Sequence, residues 1–217
     1  MPNDPLLTVL FSIFDLLWIA AFVLIIRRGF KDNTFGMPVI AAIVNLTWDA
    51  VVSFVYPAPA PQVYFEVLFA AFDMVILYQV FKHWRREFPS LAAGTFYAFV
   101  GLAFVTAVAL ILGVRFEFKD LSSVYSGYAG NLMGSILFVG MLINRSDLRG
   151  QSLYIALAKW LGTGAASLGS VIFQLPNLQG DVLVPILCAG MFVFDLTYVI
   201  LVYRKSRALG INPWTRG

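Results

Sequence analysis

This chain contains little of the chemistry on which most soluble enzymes rely. Among 217 residues there is one cysteine, Cys188, and one histidine, His83. A single cysteine excludes a disulfide framework and a thiolate metal site built within the chain, and we expect Cys188 to be a small buried apolar residue. His83 stands in a basic loop, which argues against a histidine-based metal site and against a Ser-His-Asp triad.

Charged residues are also scarce. They make up 12% of the chain, compared with about 25% in a typical soluble domain. Hydrophobic residues reach 60% and the mean hydropathy is +0.82, so the composition predicts a polytopic membrane protein. The net charge of +3 would suggest a nucleic-acid partner in a soluble protein. Here the basic residues flank apolar runs, so we expect the lipid bilayer and no nucleic acid.

The sequence lacks the aspartate-rich motifs that bind magnesium or supply a catalytic acid. It has no aspartate-rich DDxxD segment for magnesium and diphosphate, and no DxDD acid motif. The glycine-rich run at 162–169 follows no strand and does not match a P-loop, so we expect it to serve close helix packing. We therefore predict neither a metal nor another cofactor.

Apolar runs of about 20 residues recur seven times, which is the length that a membrane-spanning helix needs. They predict an all-α, seven-transmembrane-helix bundle in a single domain, 1–217. We read the first residues as the start of the first span and not as a signal peptide. The predicted spans are approximately 6–26, 37–56, 62–81, 91–112, 123–143, 151–173 and 182–203.

The basic residues divide unevenly between the two ends of these spans. Twelve of the fifteen fall in the connectors after spans 1, 3 and 5 and in the C-terminal tail. The opposite side has Arg115 and Lys119, each with an acidic neighbour, and Lys159 lies within a span. The positive-inside rule then predicts an N-terminus outside and a cytoplasmic C-terminus.

Ionisable side chains within the predicted spans are the most informative feature of the chain. A charge near the bilayer centre costs on the order of 3 kcal/mol, so such residues usually face a bundle interior and have a function. Five acids and one base point to proton chemistry or ion handling at a buried site. The six residues are Asp15, Asp49, Glu66, Asp73, Lys159 and Asp195.

The second span places an amide and an acid on one helix face. Asn45 and Asp49 are four residues apart, so Asn45 can hold the Asp49 carboxyl by a hydrogen bond. Trp48 beside them can wall the site with an apolar ring. A carboxyl in apolar surroundings favours its protonated form, which is what a general acid requires. The alternative is a hydrogen bond that serves helix packing.

The seventh span has a similar pair, and the sixth a lysine. Asp195 and Tyr198 are three residues apart, so the hydroxyl can orient the carboxyl. Lys159 is expected to form an ion pair with one of the acids, with Asp195 as one option. A retinal-type Schiff base is the alternative for Lys159, but that family carries its lysine in the seventh span, and here the seventh has none before Lys205.

Further polar residues extend these faces. Glu66 and Asp73 share a face of span 3, with Asp73 deeper and Glu66 open to solvation at the interface. Tyr128 and Asn131 belong to a polar stripe on span 5. Asp15 in span 1 is as readily a structural partner as a catalytic residue. We expect Glu66, Asp73, Tyr128 and Asn131 to support the site or line a substrate pocket.

With these residues the chain resembles a known family, the integral-membrane terpene cyclases of the paxilline and pyripyropene pathways. Those proteins have seven spans and similar length. Their second span carries Asn-x-x-Trp-Glu, where this chain has Asn45, Trp48 and Asp49, and their last span carries an acid, where it has Asp195. The stretches 71–73, 150–152 and 159–163 also look like the family.

The resemblance implies metal-free cyclisation of a prenyl chain, plain, epoxidised or attached to an indole or other aromatic group. It implies that Asp49 and Asp195 are the two catalytic acids and that a lipophilic substrate enters from the bilayer. Family members usually have Glu at the position of Asp49, so the acid here is one methylene shorter. This departure leaves room for a different substrate position or initiating group, for a divergent substrate, or for a member that no longer cyclises.

Two other functions fit the buried charges alone. A small proton-coupled transporter is the first, although the spans show no evident repeat and few interior prolines. A seven-helix sensor or receptor is the second. The short loops favour a bacterial plasma membrane, whereas a fungal host would imply the endoplasmic reticulum. The sequence gives neither the exact substrate nor the oligomeric state.

Overall fold

The computed structural model describes residues 4–173 and 182–216 and is helical throughout, without strands in these ranges. The predicted connector at 174–181 and the first three residues lie outside the described residues. The helices are α1 (Pro5–Asp32), α2 (Val39–Ala50), α3 (Gln62–Glu87), α4 (Ala93–Glu117), α5 (Val124–Asn144), α6 (Leu153–Phe173) and α7 (Leu183–Ala208).

Six of these helices are long and apolar enough to cross a bilayer. The exception is the second segment, in which α2 continues into a π-helical turn, Val51–Val55, for 17 residues in all. The structure thus confirms the all-helical class and a multi-pass membrane protein. The seventh crossing and the orientation of the termini stay predictions.

The helices extend beyond several of the predicted spans. α1 continues to Asp32, α3 to Glu87 and α7 to Ala208, between five and six residues further than the apolar runs. Arginine, lysine and glutamate are good helix formers, so hydropathy marks where the apolar part ends and not where the helix ends. These charged turns carry ion pairs at one end of the bundle.

Six helices form a closed ring in the order α1, α3, α2, α5, α7 and α6, and α4 packs against α2 and α5. α1 packs against α3 and α6, and α7 packs against α5 and α6, while α2 packs against α3, α4 and α5. Glycines in α6 permit the close approach of α1, as predicted: a Cβ at Gly162 would lie 3.1 Å from Leu17 Cβ. α2 thus lies between α3 and α5 in this ring, so its polar residues can meet side chains of both neighbours.

The π-helical turn places the end of α2 at one end of the bundle. Its wider turn is closed by the Tyr56 amide, which donates to the Val51 carbonyl at 2.8 Å. Pro57 follows directly, and the residue before a proline is driven out of helical geometry. Tyr56 accordingly leaves the helix with φ −132° and ψ 71°. π-helical turns are common at functional sites, and Asp49 lies two residues before the start of this turn.

The opposite end of the bundle is held together by ion pairs. Asp32 binds Arg28 at 2.6 Å and Arg216 at 2.9 Å. Glu87 contacts two arginines of the connection at 145–149, at 3.3 and 3.2 Å. This end carries most of the basic residues, and these ion pairs join four separate parts of the chain. We call it the basic end.

Candidate functional site

A cavity of about 860 Å³ opens at the end of the bundle away from the basic end. Its rim is formed by the segments 56–59 and 121–124, and its walls by α1, α2, α3, α5, α6 and α7. Pro57, Pro59 and Leu121 on this rim are exposed. The volume lies within the usual range for small-molecule sites, about 300–1,000 Å³.

One wall of the cavity is a continuous row of aromatic rings. Phe11, Phe14, Trp18, Phe22 and Phe69 line it, and successive ring centroids are 6.5, 6.4, 5.7 and 5.4 Å apart. Ring faces carry negative charge density and stabilise cations. The high aromatic content of the sequence predicts rings that line an interior cavity and stabilise a cation, but it does not identify these five, although four of them recur every three or four residues in α1.

Asp49 lines the cavity and is paired with a second carboxyl group. Its carboxyl group interacts electrostatically with that of Asp73 of α3, and the two residues are 6% and 0% exposed. Asp49 Oδ2 and both oxygens of Asp73 have no hydrogen-bond partner within the described part of the chain. Two ionised carboxyl groups in one apolar site repel each other.

Two further acids lie between this pair and the rim. Gln62, the first residue of α3, donates through Nε2 to Glu66 Oε1 at 2.5 Å and to Asp15 Oδ1 at 3.5 Å. Gln62 and Glu66 line the cavity, and Glu66 interacts electrostatically with Asp49 and with Asp15. Glu66 is 4% exposed, so the expectation that it is solvated at the membrane interface is wrong.

The predicted hydrogen bond between Asn45 and Asp49 does not form. Asn45 Nδ2 instead lies 3.9 Å from Met37 Sδ. Both Asn45 and Trp48 line the cavity. The Trp48 ring is fixed by its Nε1, which donates to Ser126 Oγ at 3.1 Å, so Trp48 forms a wall as the sequence predicts.

The polar stripe of α5 faces the same cavity. Tyr128 and Asn131 both line it. The Tyr128 hydroxyl hydrogen-bonds to Ser170 Oγ at 2.5 Å and to the Ala166 carbonyl at 3.2 Å, which ties α5 to α6. These residues present hydroxyl and amide groups opposite the aromatic row.

Asp195 is placed differently from Asp49. Lys159 Nζ binds Asp195 Oδ1 and Ser135 Oγ, each at 2.6 Å, so the predicted partner of Lys159 is Asp195. Lys159 and Asp195 are each 1% exposed, and neither is among the residues that line the cavity. Lys159 Nζ lies 5.6 Å from the ring of Trp18, which does line it.

Tyr198 lies near Asp195 but does not bind it. Its hydroxyl has no hydrogen-bond partner among the described residues, and its ring packs on Phe138 at 5.3 Å. The expected orienting contact between Tyr198 and Asp195 is therefore replaced by ring packing. The second oxygen of Asp195, Oδ2, is likewise unpartnered among these residues.

Comparison with known proteins agrees with these features. Residues 3–208 match the family model described as Pyr4-like transmembrane terpene cyclases. The chain is 24% identical over 157 residues to the Pyr4-family terpene cyclase mfmH of Annulohypoxylon moriforme, which covers 70% of this chain and 65% of that protein. It is 25% identical over 203 residues to the terpene cyclase olcD of Penicillium canescens, covering 88% and 82%.

A third relative extends along nearly the whole chain: the terpene cyclase spyD of Aspergillus fumigatus is 23% identical over 217 residues, covering 94% of this chain and 90% of that one. The chain spans slightly less than two thirds of mfmH. No solved structure matches. The family match covers almost all of the helical bundle, including Asp49, Asp73, Lys159, Asp195 and the cavity walls. This chain therefore belongs to the Pyr4-like transmembrane terpene cyclases, a family of membrane enzymes.

Proposed function

We propose that this protein cyclises a linear prenyl chain by proton-initiated, metal-independent catalysis, with Asp49 as the proton donor. The substrate is a lipophilic prenyl compound, plain, epoxidised or attached to an aromatic group. The terpene cyclases to which the chain is similar support the reaction class. The position of Asp49 in the bundle supports the assignment of the acid.

One observation carries the assignment: Asp49 lines the cavity and interacts with a second buried carboxyl group, that of Asp73. A carboxyl group donates a proton only if it holds one, and a buried pair of carboxyl groups cannot ionise fully because like charges repel in a medium of low dielectric. The pair therefore supplies a protonated acid at the cavity wall without the aid of a metal.

The cavity is suited to the steps after protonation. Transfer of the Asp49 proton to a terminal alkene, or to an epoxide oxygen, leaves a carbocation that is attacked by the next double bond of the chain. The ring faces of the aromatic row stabilise this charge as it moves. Loss of a proton from a carbon next to the final cation restores a double bond, so substrate and product have the same mass.

Asp195 stays the predicted second acid. Its bond to Lys159 gives it a competing structural role as a counter-ion, and this contact supports that role more directly than proton transfer. Replacing Lys159 and Asp195 together by apolar residues separates the two roles, because it removes the acid without leaving an unpaired charge.

The test is product analysis by mass spectrometry. Membranes containing the protein are incubated with farnesyl- and geranylgeranyl-bearing substrates, plain and epoxidised, in the presence of a chelator. We expect a cyclised isomer of unchanged mass that is absent with Asp49→Asn. Asp147→Asn is the matched control, because it makes the same chemical change at the basic end, far from the cavity.

Wild-type rates from Asp49→Asn would contradict the assignment of the donor. Loss of product on chelation would contradict the metal-free mechanism. If no isomer forms from any of these substrates and proteoliposomes instead accumulate a solute against a proton gradient, the protein is a transporter and the proposal is wrong.

A further inference from the structure

A carboxyl group that donates a proton in every catalytic cycle has to regain a proton before the next cycle. Each cyclisation removes the proton from Asp49, and the final cation loses a proton elsewhere in the cavity to give the product. Asp49 is 6% exposed, and Asp73, the carboxyl group with which it interacts, is fully buried. Turnover therefore requires a route by which a proton reaches Asp49 from the cavity mouth.

One face of α3 provides groups along this route. Gln62, Glu66 and Asp73 are spaced by four and seven residues, which places them on one side of the helix. At 1.5 Å per residue, Glu66 lies roughly 6 Å and Asp73 roughly 16 Å beyond Gln62 along the helix axis. Asp49 interacts electrostatically with both acids.

The outer part of the route is held in place by one amide. Gln62 begins α3 at the cavity mouth, next to the exposed Pro61. Because its Nε2 donates to Glu66 Oε1 at 2.5 Å and to Asp15 Oδ1 at 3.5 Å, it bridges α1 and α3. Glu66 is held at the cavity wall by this bond, between the mouth and Asp49.

We propose that Glu66 relays protons from water at the cavity mouth to Asp49, and that Gln62 is the positioning residue that holds Glu66 in the relay. This inference rests on the proposed role of Asp49 as proton donor. It also accounts for the otherwise unpartnered Asp49 Oδ2, which is buried at the cavity wall and free to accept a proton.

The proton count balances over a cycle. The Asp49 O–H bond breaks as a C–H bond, or an epoxide O–H bond, forms on the substrate. The final cation gives one proton to water as its double bond forms. The Glu66 carboxyl then transfers its proton to the Asp49 carboxylate, and Glu66 takes a proton from water at the mouth. No oxidant, reductant or net proton is consumed.

Infrared spectroscopy tests the relay without any substrate. The C=O stretch of a buried protonated carboxyl shifts when its proton is exchanged for deuterium, and the Asp49 contribution is the part of this band that Asp49→Asn removes. On transfer of the purified protein to D2O, we expect Glu66→Gln to slow the shift of that band at least tenfold. Glu66→Asp, which keeps a carboxyl, should restore most of the rate.

The positioning role of Gln62 has its own variant. Gln62→Leu keeps the bulk but removes the donor, so we expect an intermediate slowing of exchange with the band itself retained. Equal exchange rates in wild type and Glu66→Gln would overturn the relay. Absence of any carboxyl band that depends on Asp49 would overturn both the relay and the protonated pair.

Kinetics give the second arm, with whichever prenyl substrate is cyclised. In Glu66→Gln we expect the first turnover to proceed at the wild-type rate and later turnovers to slow at least tenfold, giving a burst of one product per enzyme. Acetic acid in the buffer should accelerate the later turnovers, which it would not do if product release were limiting. A first turnover slowed as much as the later ones would overturn the relay while leaving Asp49 as donor.

Discussion

The bundle buries two aspartates to a similar extent and gives them opposite partners. Asp49 is 6% exposed and pairs with the carboxyl of Asp73, whereas Asp195 is 1% exposed and pairs with the ammonium group of Lys159. The same residue type in the same apolar interior is thereby given two different electrostatic surroundings. In general, a neighbouring acid opposes the ionisation of a carboxyl group and a neighbouring cation favours it.

The difference extends to what each pair can do. Asp49 lies on the cavity wall, where a substrate can reach its proton, while the lysine pair lies behind Trp18 and is out of contact with the cavity. A carboxyl pair that holds a proton can give it to a substrate. A buried ion pair is inert but leaves a stranded charge if either member is lost. We therefore expect substitutions in the carboxyl pair to affect turnover and substitutions in the lysine pair to affect stability.

The largest expected effect is on turnover and comes from Asp49→Asn. A positioned general acid contributes about 10²–10⁴-fold, so we expect product formation to fall by at least about 10³-fold. Asparagine retains the size of the side chain, so folding should be preserved. Product analysis measures the loss of turnover, and size-exclusion chromatography in detergent checks that the variant is folded. An unfolded variant would instead indicate a structural role for Asp49.

The next effect is on stability and comes from Lys159→Met. Removing one member of a buried ion pair leaves the other charged and unpaired, which costs about 3 kcal/mol or more. The double variant Lys159→Met, Asp195→Leu removes both charges and should recover most of that loss. Unfolding of the purified variants, followed by fluorescence in detergent, compares the two.

The same double variant decides the role of Asp195. If Asp195 acts only as the counter-ion of Lys159, the folded double variant should cyclise its substrate within about tenfold of the wild-type rate. If the double variant folds but forms no product, Asp195 is the second catalytic acid that the family resemblance implies. A double variant less stable than Lys159→Met would contradict the ion-pair interpretation.

A smaller effect should follow from Asp73→Asn. The amide retains the size of the side chain, but it removes the like charge that helps Asp49 keep its proton. We expect turnover to fall about 10- to 100-fold with little change in stability, which a thermal unfolding midpoint would show. A loss of stability as large as that of Lys159→Met would mean that the carboxyl pair is a structural element like the lysine pair.

Much of this architecture can be predicted from the sequence because membrane constraints act locally. Hydropathy predicts the helices, and the charges within them indicate the residues with a function, including Asp49 and Lys159. The helical period places groups on a face, and for this reason it groups Glu66 and Asp73 correctly. Hydropathy places the ends of α1, α3 and α7 too early, because charged residues that are good helix formers continue each helix beyond its apolar part.

The partners of these groups cannot be predicted in the same way, because they depend on how helices pack. A shared face predicts that Asn45 binds Asp49, but α3 packs against α2 and brings Asp73 to the carboxyl instead. The aromatic row is another case: the spacing of Phe11, Phe14 and Trp18 is visible in the sequence, yet only the fold shows that this face lines a cavity and not the lipid.

The smallest expected effect comes from Asp49→Glu, which introduces the residue typical of the resembling terpene cyclases at this position. The added methylene extends the carboxyl into a cavity of about 860 Å³, which has room for it, and the proton-donating group is retained. We therefore expect turnover within about tenfold of wild type, with a change in product distribution if the shorter acid sets where protonation begins. Mass spectrometry with chromatographic separation of the isomers measures both. Complete loss of product would mean that the Asp49–Asp73 pair depends on the shorter side chain. The carboxyl pair would then tolerate as little change as the Lys159–Asp195 pair.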